Sequence, residues 1–512
     1  MADGFLYVRN ENSSSVSTFG DRVYRRIRNT MNVLARYLTC LLSLCLALTL
    51  ASTTARESSL TFHADATESA NAIYHMGCLA GQIPCTKDTF ERFWHETLQW
   101  TRPDQSELEA WIDGLRKVNR AAAPPPTAPY LGNYRSFLPD VDARLRIIHA
   151  AIESKSVSEF QHRTQRWLSK DEGARLERAV AYFRGRLRPW WRMAGHNAVK
   201  VRVQQTQKKL RSDTTMGVAG EVATFVEAEA PARDIYVHLI PGPLPKSDAA
   251  SGTFVFNHCF MEVTDAATSD GIVSVSLHEM THYLYETAQA RRHLELMQQF
   301  VSSDVPDASA FYALLNEALA SAVQGILSER SSRRGEAKPD DGEYRHAFIP
   351  RLAHSTVPVL KDALAKKTTL YNGFTQAYVR AGTRELGGDI ANPKFFLTSA
   401  AILPTEKAGS AYQIFLKEFE PVSFITSNHW RLFPNLNLVF LHGYDELAAL
   451  STAFPDLVSY TNKRGFVYVS SRDGHARLCI LAGVDADAIA DVVRALAKLP
   501  FVARSGLVLS ID

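Results

Sequence analysis

Six cysteines in 512 residues, none spaced as a ligand pair, leave no Cys-based metal site. Net charge is nearly absent: 57 Lys and Arg against 54 Asp and Glu give +3, a balance that implies no polyanionic partner. The basic stretch Arg184 to Arg211 contains Trp190 and Trp191 but no recognised binding module, so it reads as a solvated helical face and no nucleic acid is expected. The apolar run Tyr37 to Ala51 stops at 15 residues, short of the roughly 20 a spanning helix needs. Arg22, Arg25, Arg26, Arg28 and Arg36 precede it, and the small residues Ser52, Thr53, Thr54 and Ala55 follow, which is the shape of an export signal. Residues 1–55 are therefore read as a signal peptide or an uncleaved N-terminal anchor, with Met31 as an alternative start. The expectation is an exported protein, periplasmic or secreted, associated with the membrane through this segment if it is retained.

Export alters the reading of the cysteines. Cys78 and Cys85 flank a Gly-Gln-Ile-Pro turn and suit a disulfide in an oxidising compartment, or else stand as two thiols, whereas Cys259 and Cys479 sit in apolar strands as small hydrophobes. A composition 46% hydrophobic and 22% charged belongs to a folded enzyme rather than a tail or fibre. Punctuation divides the chain into a helical segment, 56–129, ending in the Pro-rich linker Ala121 to Pro129; a helical region, 130–225; a core, 226–425; and a C-terminal unit, 434–512.

What is present is His278-Glu279-Met280-Thr281-His282. On an α-helix, positions i and i+4 share a face, so both imidazoles can reach one tetrahedral ion, and Glu279 falls beside its open position. Ile272, Val273, Val275, Leu277, Met280, Tyr283 and Leu284 surround the motif at helical spacing, so it sits on a buried or half-buried helix, where ionisable side chains need partners. A third histidine after a glycine, the metzincin extension, is missing: Tyr285 and Ala288 stand in those places. The third donor is instead sought in Glu317, 35 residues beyond His282, in a second helix expected from an Asp307 N-cap to about Leu327. It is the one acidic residue in an Ala-rich stretch whose small side chains permit close helix packing.

These residues resemble the gluzincin branch of the zincin-like zinc metallopeptidases, in which His-Glu-x-x-His and a downstream Asn-Glu motif form a His, His, Glu site. The resemblance spans about 60 residues, Asp270 to Glu329. It implies zinc on His278, His282 and Glu317, with Glu279 as general base for hydrolysis of a peptide or protein substrate. Thermolysin-like members carry an aspartate four residues after the ligand glutamate; this chain has Ser321, a neutral partner for an imidazole. The resemblance also implies a Tyr or His to stabilise an oxyanion. Tyr371, Tyr378, His346 and His354 are candidates, with Tyr378 as the choice. Upstream, Asp234 to Ile240 and Thr253 to Val263 read as strands, with His258 in the second, and would supply the small sheet of such a core, with an edge to which substrate backbone can add.

The last 80 residues read as strand Leu436 to Leu441, helix Tyr444 to Phe454, strands Gly465 to Ser471 and Ala476 to Ala482 joined at Asp473-Gly474, a helix capped by Asp485, and strand Gly506 to Ile511. That βαββαβ order is the ferredoxin-like pattern, taken as an accessory unit for a protein partner. The fold expected is thus α+β: a mainly helical zincin-like core with a small sheet, plus a ferredoxin-like C-terminal domain. The competing function is a non-catalytic zincin-like binding or assembly module at the cell envelope.

Overall fold

The computed structural model describes residues 60–117, 139–228, 234–242, 250–288, 290–305, 308–331, 347–421, 423–425, 437–471, 477–500, 502 and 506–512. The signal segment, Met31, the Pro-rich linker, Asp307, His346 and the Asp473-Gly474 turn lie outside these residues.

Two mixed sheets sit within a mainly helical chain, which is the α+β expectation in its coarse form. The first sheet begins with β1 (Thr61–Asp65). Helices α1 (Glu68–Leu79), α2 (Lys87–Glu96), α3 (Arg102–Arg116), α4 (Pro139–Glu153), α5 (Val157–Thr164) and α6 (Lys170–Trp190) follow. A single π turn, Trp191–Gly195, links α6 to α7 (His196–Leu210), and α8 (Asp213–Phe225) leads to β2 (Asp234–Pro241), β3 (Ser251–Val255) and β4 (His258–Val263). The strand order is β1-β2-β4-β3, parallel across β1, β2 and β4, with β3 antiparallel at one edge.

The span read as one strand, Thr253 to Val263, is a hairpin instead: Val255 pairs with His258 across a two-residue turn at Phe256-Asn257. Phe256 takes φ 53°, a conformation a bulky side chain rarely adopts. Its ring compensates by lying against the Arg146 guanidinium, 5.2 Å away, and against His149 at 5.1 Å.

Alternation along β2 and β4 sends side chains into two different cores. Ile235, Val237 and Leu239, with Cys259, Met261 and Val263, pack into one hydrophobic cluster with the later helices. Ile240 and Phe260 enter the other, built on α1 to α6. Those later helices are α9 (Ser269–Glu286), α10 (Ala290–Val301), α11 (Ala308–Ser331), α12 (Ile349–Ala365) and α13 (Thr375–Leu386). The sheet is therefore a partition with a helical layer on each face.

On the α1 side, the Tyr74 hydroxyl and the backbone and hydroxyl of Thr86 donate to the Glu262 carboxylate, which is 1% exposed. Three donors satisfy a charge that would otherwise be costly to bury. The Cys78–Cys85 disulfide closes the intervening loop.

The second sheet starts after α14 (Pro393–Phe396). It comprises β5 (Ser399–Pro404), β6 (Ser423–Ile425) after α15 (Ala411–Phe419), β7 (Asn437–Gly443), β8 (Gly465–Ser471), β9 (Arg477–Gly483) and β10 (Gly506–Ile511). Helix α16 (Ala448–Ser451) follows β7, and α17 (Ala486–Ala497), capped by the Asp485 side chain on Ala488 N at 2.7 Å, precedes β10. The order is β10-β8-β9-β7-β5-β6.

This order corrects the ferredoxin-like reading. In that pattern the third strand lies antiparallel between the first two, and the last strand borders the first. Here β7 and β9 are parallel neighbours, β8 lies outside β9, β10 pairs with β8, and β5 takes the place beside β7. The physical cause is the segment after β7. The helix expected over Tyr444 to Phe454 is reduced to the 3-10 turn Tyr444–Glu446 and the four-residue α16, then a further 3-10 turn at Pro455–Tyr460, too little to carry a parallel crossover.

Replacing Tyr74 by Phe removes one donor from a buried carboxylate. It is expected to lower unfolding free energy by about 1–3 kcal/mol, read as a lower urea midpoint at unchanged slope.

Candidate functional site

Helix α9 begins at a Thr268 cap, whose side chain accepts from Gly271 N, and runs through the His-Glu-x-x-His motif to Glu286. Ile272, Leu277, Met280 and Leu284 are buried and turn α9 into the core, where it packs along α11. His278 and His282 face that helix contact at 6% and 8% exposure.

Their Nε2 atoms are 3.0 Å apart, and Glu317 Oε2, from α11, lies 3.7 Å from the first and 3.6 Å from the second. A tetrahedral ion with arms of 2.0–2.1 Å holds its donors about 3.3 Å apart. The three separations bracket that edge. The Glu279 carboxylate lies within 4.8 Å of a ring nitrogen of each histidine. Two neutral nitrogens and a carboxylate oxygen make a borderline donor set that suits zinc, so these residues fit such an ion.

The opposite ring edge decides which nitrogen is available. His278 Nδ1 is 3.0 Å from Gln324 Oε1, an acceptor, so Nδ1 carries the proton and the Nε2 lone pair faces Glu317 and His282. Gln324 lies seven residues after Glu317, two turns along the same face of α11. Sequence reasoning pointed to Ser321 as the imidazole's partner. Its hydroxyl is buried and makes no hydrogen bond among the described residues, because the longer amide side chain reaches the ring from one turn further on. The seven-residue spacing from Glu317 was the signal that could have identified Gln324. His282 Nδ1 is likewise buried without a hydrogen-bond partner among the described residues.

Glu279 sits where the helix meets the sheet edge. A Cβ at Gly252, on β3, would come within 2.6 Å of Glu279 Cγ, so glycine is what lets the carboxylate side chain lie over that strand. Burial pushes the Cys259 thiol well up, and the Glu279 charge adds to this, so Cys259 stays protonated beside the site.

Tyr378 is not at this cluster. It is wholly buried among Phe300, Phe311 and Phe374, and its hydroxyl donates to the Phe311 carbonyl at 3.0 Å. Burial drives its pKa far up, and its hydroxyl is committed to the backbone, so it presents nothing to a substrate. Helical periodicity on α13 could not distinguish a core tyrosine from a cleft one. Tyr371 is also buried, beneath the Arg292 guanidinium, and His354 is exposed on α12.

Comparison with protein-family models, curated proteins and solved structures finds no match for this chain.

Gln324→Ala is expected to weaken binding of a divalent ion by about 10- to 100-fold, whereas Ser321→Ala leaves it unchanged; competition with a fluorescent chelator measures both.

Proposed function

We propose that the chain is a zinc-dependent hydrolase of the gluzincin type acting on peptide bonds, with His278, His282 and Glu317 holding the metal and Glu279 as general base. The observation that carries this reading is the convergence of three donors from two helices at separations of 3.0, 3.6 and 3.7 Å, with a second carboxylate alongside. Bound there, zinc would supply an acidified water and a Lewis acid for the scissile carbonyl.

The chain's own groups do the rest. Glu279 accepts a proton from the attacking water and returns it to the leaving nitrogen, a relay that needs a carboxylate near the attack but outside the ligand set. Gln324 holds His278 in the tautomer that directs Nε2 inward. Edge strand β3, over which Glu279 lies, has no further strand beside it among the described residues, and an extended peptide can add there. A mixed sheet with an antiparallel edge strand beside the motif helix supports the zincin-like reading of this part of the chain. The Cys78–Cys85 disulfide supports work in an oxidising compartment, periplasmic or extracellular.

Glu279→Gln is expected to retain one equivalent of zinc at this site and lose turnover of a peptide library by at least about a hundredfold. Glu317→Ala is expected to lose that zinc. Undiminished zinc in Glu317→Ala, or unchanged turnover in Glu279→Gln, would refute the assignment, and a parent chain that binds zinc yet cleaves no peptide would turn it toward a non-catalytic envelope module.

A further inference from the structure

The opposite face of the first sheet carries a second convergence of donors. His149 and Glu153 lie one turn apart at the end of α4, and His258 opens β4. Their ligand atoms all fall within 4.8 Å of one another. By the alternation of β4, His258 shares a face with Phe260 and the α1 to α6 layer, while Cys259 and Met261 point into the cluster that contains α9. This group is thus separate from His278 and His282.

Hydrogen bonds behind each imidazole prepare it as a ligand. Asp65 Oδ1 is 2.6 Å from His238 Nδ1, and His238 Nε2 is 2.8 Å from His258 Nδ1. The carboxylate can only accept, so His238 carries its proton on Nδ1 and accepts at Nε2; His258 is then protonated on Nδ1 and directs an Nε2 lone pair outward. On the other side, Asn257 Nδ2 donates to the Asp234 carbonyl, which orients its Oδ1 to accept from His149 Nε2 at 3.1 Å. The His149 lone pair is consequently on Nδ1. A carboxylate–histidine chain behind one ligand and an oriented amide behind another are what metal sites require of their surroundings.

The third contact is the decisive one. Glu153 Oε1 lies 2.9 Å from His258 Nε2, ion-pair distance, and this nitrogen, on a residue 2% exposed, has no well-directed hydrogen bond among the described residues. A buried imidazole nitrogen and a carboxylate oxygen thus converge, with a ligand atom of His149 within 4.8 Å of both. Glu153 is also the last residue of α4, where the helix dipole disfavours an anion and a cation is stabilising. We propose that His149, Glu153 and His258 form a second metal site, for a borderline divalent transition ion such as zinc, that fastens α4 to β4. Two imidazoles and a carboxylate favour such an ion over calcium or magnesium, which prefer all-oxygen sets.

The test uses the full chain, stripped with chelator and reloaded with zinc, with metal counted by mass spectrometry. The parent is expected to take up two zinc ions, Glu153→Gln and His149→Ala one, and the double variant His282→Ala with Glu317→Ala one. Adding Glu153→Gln to that double variant is expected to abolish the remaining ion and its zinc-dependent rise in melting temperature. Asp65→Asn is expected to weaken the second site by about 10- to 100-fold. Because Glu153 is partly exposed, Glu153→Gln is expected to fold, which circular dichroism checks. Zinc content and affinity unchanged in both Glu153→Gln and His149→Ala would overturn the proposal. So would a folded double variant that binds no zinc. A parent with one ion, lost in Glu153→Gln but kept in the double variant, would sustain this site while sinking the proposed active site.

Discussion

Two imidazole nitrogens 3.0 Å apart, with a carboxylate oxygen about as close to each, constrain everything built around them. If both nitrogens present lone pairs they repel one another, and the arrangement is sustained by a proton or a cation among them. Gln324 Oε1 accepts a hydrogen bond from His278 Nδ1, which removes the simplest way for that ring to turn around and donate inward. The need for a bridging proton or cation at the centre of the α9–α11 contact follows from this geometry, and with no hydrogen-bond partner for His282 Nδ1 among the described residues a proton on His282 Nε2 meets it as well. It explains why a helix otherwise filled with Ile, Leu, Met and Tyr carries three ionisable residues in five, and why α11 contributes small side chains such as Ala318, Ala320 and Ala322 on either side of its glutamate. Close approach of the two helices is what brings Glu317 within reach.

The first sheet turns that local arrangement into a site with a surface. Its strands alternate between two cores, so each residue of β4 belongs to one helical layer or the other. Met261 lies with Glu279 near Gly252 on one side, while Glu262 is locked to Tyr74 and Thr86 on the other. These opposed attachments hold the strand in register. A shift of one residue would carry the Glu262 charge into the α9 core and Met261 out of it, at a cost no neighbouring contact could offset. The position of β3, and with it the edge beside Glu279, depends on β4 being held in this way.

Much of this was legible in the chain, and what was not has physical causes. The His278–His282 spacing and the apolar residues around it specify a helix and a shared face, because an α-helix obliges i and i+4 to meet. The strands Gly465–Ser471 and Gly506–Ile511 and the Asp485 cap were read from local chemistry for the same reason. Phe256 defeated that kind of reading, since a left-handed phenylalanine is unfavourable until Arg146 and His149 pack against it from a helix over a hundred residues earlier. Strand order failed similarly: β5 enters the second sheet beside β7, and that choice rests on tertiary burial, not on any local signal. Tyr378 was drawn toward the site by proximity in sequence, when its surroundings are wholly aromatic.

The His149, Glu153 and His258 group shows where sequence reading must end. Its parts come from α4, the β3–β4 turn and three strands, and it is assembled only because β1, β2 and β4 run parallel, setting Asp65 opposite His238 and Tyr236 opposite His258. Parallel pairing joins residues far apart in the chain, so no window of sequence contains the pattern. The stacked rings of Tyr236, His238 and His258, with centroids 5.1 to 6.2 Å apart, then form a polar strip on the face that also carries Glu262. Such a strip is costly unless every nitrogen is satisfied. Asp65 and the His238–His258 hydrogen bond account for three of the four ring nitrogens, and the fourth, His258 Nε2, lies 2.9 Å from Glu153 Oε1. The two faces of the sheet share one feature: a hydrogen bond at the rear of His278 and of His258 turns the Nε2 of each toward a neighbouring carboxylate.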